Sequence, residues 1–244
     1  MVLTDYLRAT RQSRYSLTFA LPLLLLYEGL AAVMSQSDAV SVRNGADVFL
    51  KTVFMALGGR NGVTLFGLLL LGVGLWLVWR DYRKNTGRLK MSYIGLMLAE
   101  SVAYAAVLGT VVSTLASLLL SGPLSIIQNG SFSQLTFETQ LMVSLGAGIY
   151  EELLFRVLLV SGMVAFGLRL GWCRSVALAV AVLGSAVIFS GFHYVGPFGD
   201  TLTVASFTFR AVAGLVLSGL YVARGFGIEA WSHALYDLGI AMLW

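Results

Sequence analysis

The chain has 244 residues, 58% of them hydrophobic and only 11% charged. Soluble domains carry about 25% charged residues, so a water-soluble globular fold is excluded and a polytopic membrane protein is expected. The net charge of +4 does not point to nucleic acid, because the basic residues flank apolar runs, and the single cysteine, Cys173, excludes an internal disulfide and a cysteine-built zinc site.

Arg8, Arg11 and Arg14 precede the first apolar run and resemble the n-region of a signal peptide. Glu28 interrupts that run, no small-x-small site follows, and further apolar runs come after it. The run is therefore read as a retained span. A span needs about 20 apolar residues. Seven are expected, at about 17–34, 63–79, 92–120, 137–167, 174–193, 202–223 and 226–243. The third and fourth are long, so they should tilt, break or project beyond the bilayer. Residues 46–58 are apolar but too short to span. Asp47 and Lys51 lie four apart there, while Val48, Phe49, Val53, Phe54 and Leu57 gather on another face. An interfacial helix is predicted. Trp76 and Trp79 fit an interface belt. Residues 121–136, with Pro123 and Asn129-Gly130, read as a polar, uncharged loop, and no internal repeat is evident. The expected fold is all-α: a polytopic transmembrane helical bundle of about seven spans, seven or eight, around a polar cavity. Residues 1–136 form an N-terminal helical part and 137–244 a helical core.

Orientation follows from Lys and Arg. With the N-terminus inside, the inner segments hold Arg8, Arg11, Arg14, Arg80, Arg83, Lys84, Arg88, Lys90, Arg169, Arg174 and Arg224. The outer segments hold only Arg43, Lys51 and Arg60. The N-terminus is expected in the cytoplasm, and an odd span count puts the C-terminus outside. The protein is expected in a bacterial inner or plasma membrane.

Charges inside spans carry the functional information. A charge at membrane depth costs roughly 2.5–3.5 kcal/mol on insertion scales, so such residues are usually functional. Glu151, Glu152 and Arg156 lie together in the fourth span, with no charge between Leu141 and Tyr150 or between Val157 and Leu168. On a helix Glu152 and Arg156 share a face and should pair. Glu151 points about 100° away and is free to meet another helix. The only histidines are His193, at the outer end of the fifth span, and His233, in the seventh. Asp237 lies four residues after His233 and could fix its tautomer. Glu229 lies one turn before it, and Gly196-Pro197 should end the fifth span. Carboxylates and imidazoles together are the materials of buried acid–base or metal-assisted hydrolysis. Each also has a plain structural reading: a buried ion pair, an interfacial histidine, an interhelical polar contact. Glu28, Glu100 and Arg210 are read as structural. Depth counting puts Glu28 near Arg210 and Glu100 near Arg156.

Three motifs in order resemble the CAAX-protease and bacteriocin-processing (CPBP, or Abi) family of intramembrane proteases. Glu-Glu-x-x-x-Arg is matched by Glu151, Glu152 and Arg156. Phe-x-x-x-His is matched by Phe189 and His193. His-x-x-x-Asn or Asp is matched by His233 and Asp237. Gly214, Gly219-Leu220-Tyr221, Arg224-Gly225 and Trp231-Ser232 also look familiar. The resemblance covers about residues 137–240 and resembles type II CAAX prenyl endopeptidases. It implies peptide-bond hydrolysis inside the bilayer, acting on a membrane-associated or exported protein or peptide. Glu151 would activate water. His193 would hold that water or a metal ion bearing it. His233 and Asp237 would steady the oxyanion or complete the site, with Glu152, Arg156 and Phe189 in support. The family is classed with metalloproteases, and Glu151, His193 and His233 match a zinc set in residue type. The His-Glu-x-x-His motif is absent. Where Asn at 237 could donate to an oxyanion, ionised Asp237 cannot.

Two other functions are compatible with buried Glu and His. One is a proton-coupled transporter, although paired half-chain repeats are not seen. The other is a non-proteolytic immunity or binding protein of the same fold. No Gly-x-Ser-Gly or Gly-x-Gly-Asp protease motif occurs. The charge-based topology makes His193 the outermost site residue, so the cavity should open outward or lie near mid-membrane. CAAX processing in the family works from the cytosol, which conflicts with that placement.

Overall fold

A computed structural model describes residues 2–35, 43–85, 87–120, 135–196 and 199–243. Among them there are helices and no strands. In chain order they are α1 (Val2–Thr10), α2 (Ser13–Met34), α3 (Gly45–Gly58), α4 (Gly62–Lys84) and α5 (Met91–Leu119). Then α6 (Phe137–Gly146) runs through two π-helical stretches, Ala147–Glu151 and Leu153–Val160, into α7 (Ser161–Arg169). The chain ends with α8 (Arg174–Phe192), α9 (Val204–Arg224) and α10 (Phe226–Leu243). All seven expected apolar runs are helical. The predicted 121–136 loop lies largely outside the described residues, as does Pro197.

Local signals set several boundaries. The Asn44 side chain accepts the Ala46 N–H and starts α3, and Thr203 does the same for α9 through Ser206. Gly225, at φ 84°, turns α9 into α10. The helix predicted over 46–58 is present, but it does not stand alone. It joins α4 through a 3-10 turn at Gly59–Asn61, and Phe54 stacks on Phe66 with ring centroids 5.0 Å apart.

Among the described residues five elements are long and apolar enough to cross a membrane: 13–34, 45–84, 91–119, 174–192 and 204–224. The other two apolar runs differ for a physical reason. The run from α6 to α7 is interrupted by π turns at the glutamates, and α10 carries Glu229, His233 and Asp237. The outer faces are greasy: Leu25, Leu68, Leu75, Trp76, Leu118 and Val187 are all at least half exposed. In water such faces would drive aggregation; in lipid they are satisfied.

The bundle packs around α10, which touches α2, α5, α6, α9 and the first π stretch. Tyr27, Met142, Leu145, Tyr150, Ala230 and Ala234 form the core beside the glutamates. Phe19, Tyr93, Met97 and Ile228 close one end, and Leu108, Val112, Val212 and Leu217 seal α5 against α9. These clusters mix residues from before and after position 136.

Depth counting misplaced three charges. Glu28 bonds to Tyr150 and Lys51, not Arg210. Glu100 pairs with Arg224 and with the Tyr6 hydroxyl, not Arg156. Arg210 pairs with Asp200 and bonds to Tyr194 and Ser206. Equal depth does not make neighbours; lateral helix packing does, and α9 packs on α8 and α5 rather than α2.

Gly148 is where α10 meets the π stretch. A Cβ there would sit 2.4 Å from the Ala230 carbonyl oxygen and 2.6 Å from the Ala234 methyl. Gly148→Ala is therefore expected to push α10 away and cost about 1–3 kcal/mol. Thermal unfolding in detergent checks this; an unchanged melting temperature would mean that the two elements do not touch as described.

Candidate active site

Glu151 and Glu152 sit where the two π stretches meet. A π turn holds more residues than an α turn, so successive side chains are closer in angle than about 100°. Both carboxylates can then face the interior, and Glu151 is 8% exposed and Glu152 0%. They turn to different neighbours, as the spacing predicts.

Glu152 faces α10. Its Oε2 lies 2.9 Å from Arg156 Nε, the i,i+4 pair expected from sequence. Its Oε1 accepts from His233 Nδ1 at 2.5 Å. Arg156 is fully buried, lies 3.8 Å from Glu229, and stacks over the Phe189 ring with its guanidinium carbon 4.5 Å from the centroid. Phe189 therefore supports the arginine, and it also faces His193 and His233 with ring centroids 4.8 and 6.3 Å away. Glu229 is fully buried beside Arg156, a role that sequence reasoning left unassigned.

His233 Nε2 lies 3.6 Å from Asp237 Oδ2, so the expected His–Asp neighbourhood is present. The closer carboxylate is Glu152, however. Glu152 rather than Asp237 fixes the His233 tautomer: its carboxylate only accepts, so Nδ1 carries the proton. His193 follows α8 directly. Its Nδ1 is 2.8 Å from the Phe189 carbonyl and must donate to it, which leaves Nε2 free to accept. The Asp200 N–H donates to the His193 carbonyl at 2.9 Å and closes the turn. The Glu152–His233 bond joins the first motif to the third, and the Phe189 ring of the second motif packs against both imidazoles.

The partner of Glu151 was not legible in the sequence. Asn44 donates from Nδ2 to Glu151 Oε1 at 2.8 Å, across more than a hundred residues of chain. Asn44 is recognisable as a cap for the 46–58 helix, but nothing local says where that helix docks.

Residues 133–239 match the family described as Type II CAAX prenyl endopeptidase Rce1-like. The segment is thus similar to the CAAX-protease family, and the match supports that assignment. The assignment supports protease activity for the chain. No curated protein and no solved structure matches the chain. Among the described residues no three His, Cys, Asp or Glu side chains come together so that they could hold a metal ion. His233 has committed Nδ1 to Glu152, and Glu151 has committed one oxygen to Asn44.

Arg156→Ala is expected to lower stability by about 3–5 kcal/mol, because Glu152 stays buried without its cation. A melting temperature measured in detergent should fall far more than for Arg174→Ala, whose position at the start of α8 is exposed. Equal effects would show that the ion pair contributes nothing.

Proposed function

We propose that the chain is an intramembrane endopeptidase that hydrolyses a peptide bond of a membrane-associated or exported protein. One observation carries this reading: Glu151 of the first motif is buried with a neutral amide donor on one oxygen, next to Glu152, whose bond to His233 joins the first motif to the third. A carboxylate poised in this way is suited to general-base work.

In the proposed sequence Glu151 takes a proton from a water that donates its other proton to His193 Nε2. The resulting hydroxide attacks the scissile carbonyl carbon. His233, held by Glu152, is placed to donate from a protonated Nε2 to the oxyanion, with Asp237 beside it to favour that protonated form. Glu151 then passes its proton to the leaving amine, the C–N bond breaks, and the base is regenerated. Arg156, Glu229 and Phe189 fix Glu152 and so hold His233 still. Every step uses protein groups and water alone.

The topology that goes with this reading has seven spans and a cytoplasmic N-terminus. Arg14 at the start of α2 bonds to Asn85 and Gly87 after α4, and Arg11 and Arg224 join α1, α5 and the end of α9. The basic ends are thus gathered on one side, which the positive-inside rule makes cytoplasmic. In this topology His193 belongs to the opposite side, and the proposed site opens outward or sits near mid-membrane.

Glu151→Gln is expected to abolish cleavage of membrane-protein substrates from the same cell and to leave the melting temperature nearly unchanged. Loss of fold in that variant would make Glu151 structural. For the topology, a cysteine at the exposed Val195 in a Cys173→Ala background should react with an impermeant thiol reagent on intact cells. Labelling only after permeabilisation would reverse the orientation.

A further inference from the structure

We propose that Asn44, carried by the start of α3, is a positioning residue for Glu151, so that the active centre extends outside the CAAX-protease segment. The proposal rests on the proteolytic reading above for its consequence, though not for its geometry.

The hydrogen bonds fix the amide unambiguously. Asn44 Oδ1 accepts the Ala46 N–H at 2.9 Å, so the other end of the amide is nitrogen, and it donates to Glu151 Oε1 at 2.8 Å. Asn44 is 3% exposed. A cap needs only the oxygen; Asp or Ser would serve equally well there. The bond from nitrogen is therefore surplus to starting the helix.

The surroundings are shaped to bring the amide to this place. Gly146, five residues before Glu151, lies against it: a Cβ there would be 2.5 Å from Asn44 Cβ. On the other side a Cβ at Gly45 would be 3.3 Å from the Phe192 ring, and Phe49 meets Phe192 edge-on with centroids 5.9 Å apart. Phe192 immediately precedes His193, so the start of α3 is wedged between the two candidate catalytic groups. One turn on, the fully buried Asp47 anchors the helix. It accepts from Tyr27 at 2.7 Å and pairs with Arg43 at 3.1 Å and Lys51 at 2.6 Å. Lys51 pairs in turn with Glu28, which also takes the hydroxyl of Tyr150, the neighbour of Glu151.

The chemistry of an amide suits the task. A lysine or arginine here would hold the carboxylate but neutralise the base. A neutral N–H fixes one oxygen and leaves the second, with its negative charge, for water.

The test uses the full chain. Asn44→Ser and Asn44→Thr keep the cap through their one hydroxyl oxygen, yet both are too short to reach Glu151. Both are expected to melt like the parent protein while kcat falls roughly ten- to hundredfold with KM unchanged. Asn44→Ala should lose melting temperature as well. Parental kcat in both cap-keeping variants, or a loss that tracks melting temperature in all three, would overturn the proposal. A second arm needs no activity. With Asn44→Cys and Glu151→Cys in a Cys173→Ala background, dibromobimane should join the two thiols, and failure to do so would remove the contact on which the proposal stands. A cross-link in a family of variants whose parent cleaves nothing would overturn the proteolytic reading and leave the contact supported.

Discussion

Hydrocarbon offers no partner to an ionised side chain, so each charge inside this bundle must be answered by protein. That constraint organises the structure. Glu152, Arg156, Glu229 and His233 answer one another where α10 crosses the π-helical stretch, and Arg156 and both glutamates are completely buried. A second set, Glu28, Asp47 and Lys51 with Tyr27 and Tyr150, ties α2 and α3 to the same stretch. A third, Glu100 with Arg224 and Tyr6, closes the basic end. Each set joins elements that hydrophobic packing alone would leave free to slide, because in lipid one apolar face is as good as another.

The adjacent glutamates divide the work by direction. Glu152 lies between a cation, paired with one oxygen, and an imidazole bonded to the other. Glu151 takes a neutral amide donor on one oxygen. A straight α-helix would separate the two by about 100° and send one of them toward a lipid-facing side. The π turns bring both inward, at the cost of helical regularity, which is a common bargain at functional sites. Gly146 and Gly148 complete the arrangement by letting α3 and α10 come close enough to touch the glutamates.

The N-terminal part of the chain is more than a membrane anchor. It supplies Asn44 to Glu151 and the Glu28–Lys51 pair behind Tyr150, and its aromatic Phe49 packs on Phe192 next to His193. The family match begins at residue 133, so these contributions come from outside it. Glu151 of the first motif thus takes its hydrogen-bond donor from an element that carries none of the three motifs.

The sequence by itself determined the all-helical membrane fold and the seven apolar runs. It also determined the pairs Glu152–Arg156 and His233–Asp237, because an i,i+4 spacing on one helix brings side chains together whatever else the chain does. It could not determine which helices lie side by side. Hydropathy is nearly uniform around these spans, so periodicity marks no inner face and depth was the only guide, which failed for Glu28, Glu100 and Arg210. The tertiary structure decided those partners, gave His233 to Glu152, and brought Asn44 to Glu151. The physical reason is close packing: bare glycine backbones admit particular neighbours, and buried charge then locks the choice.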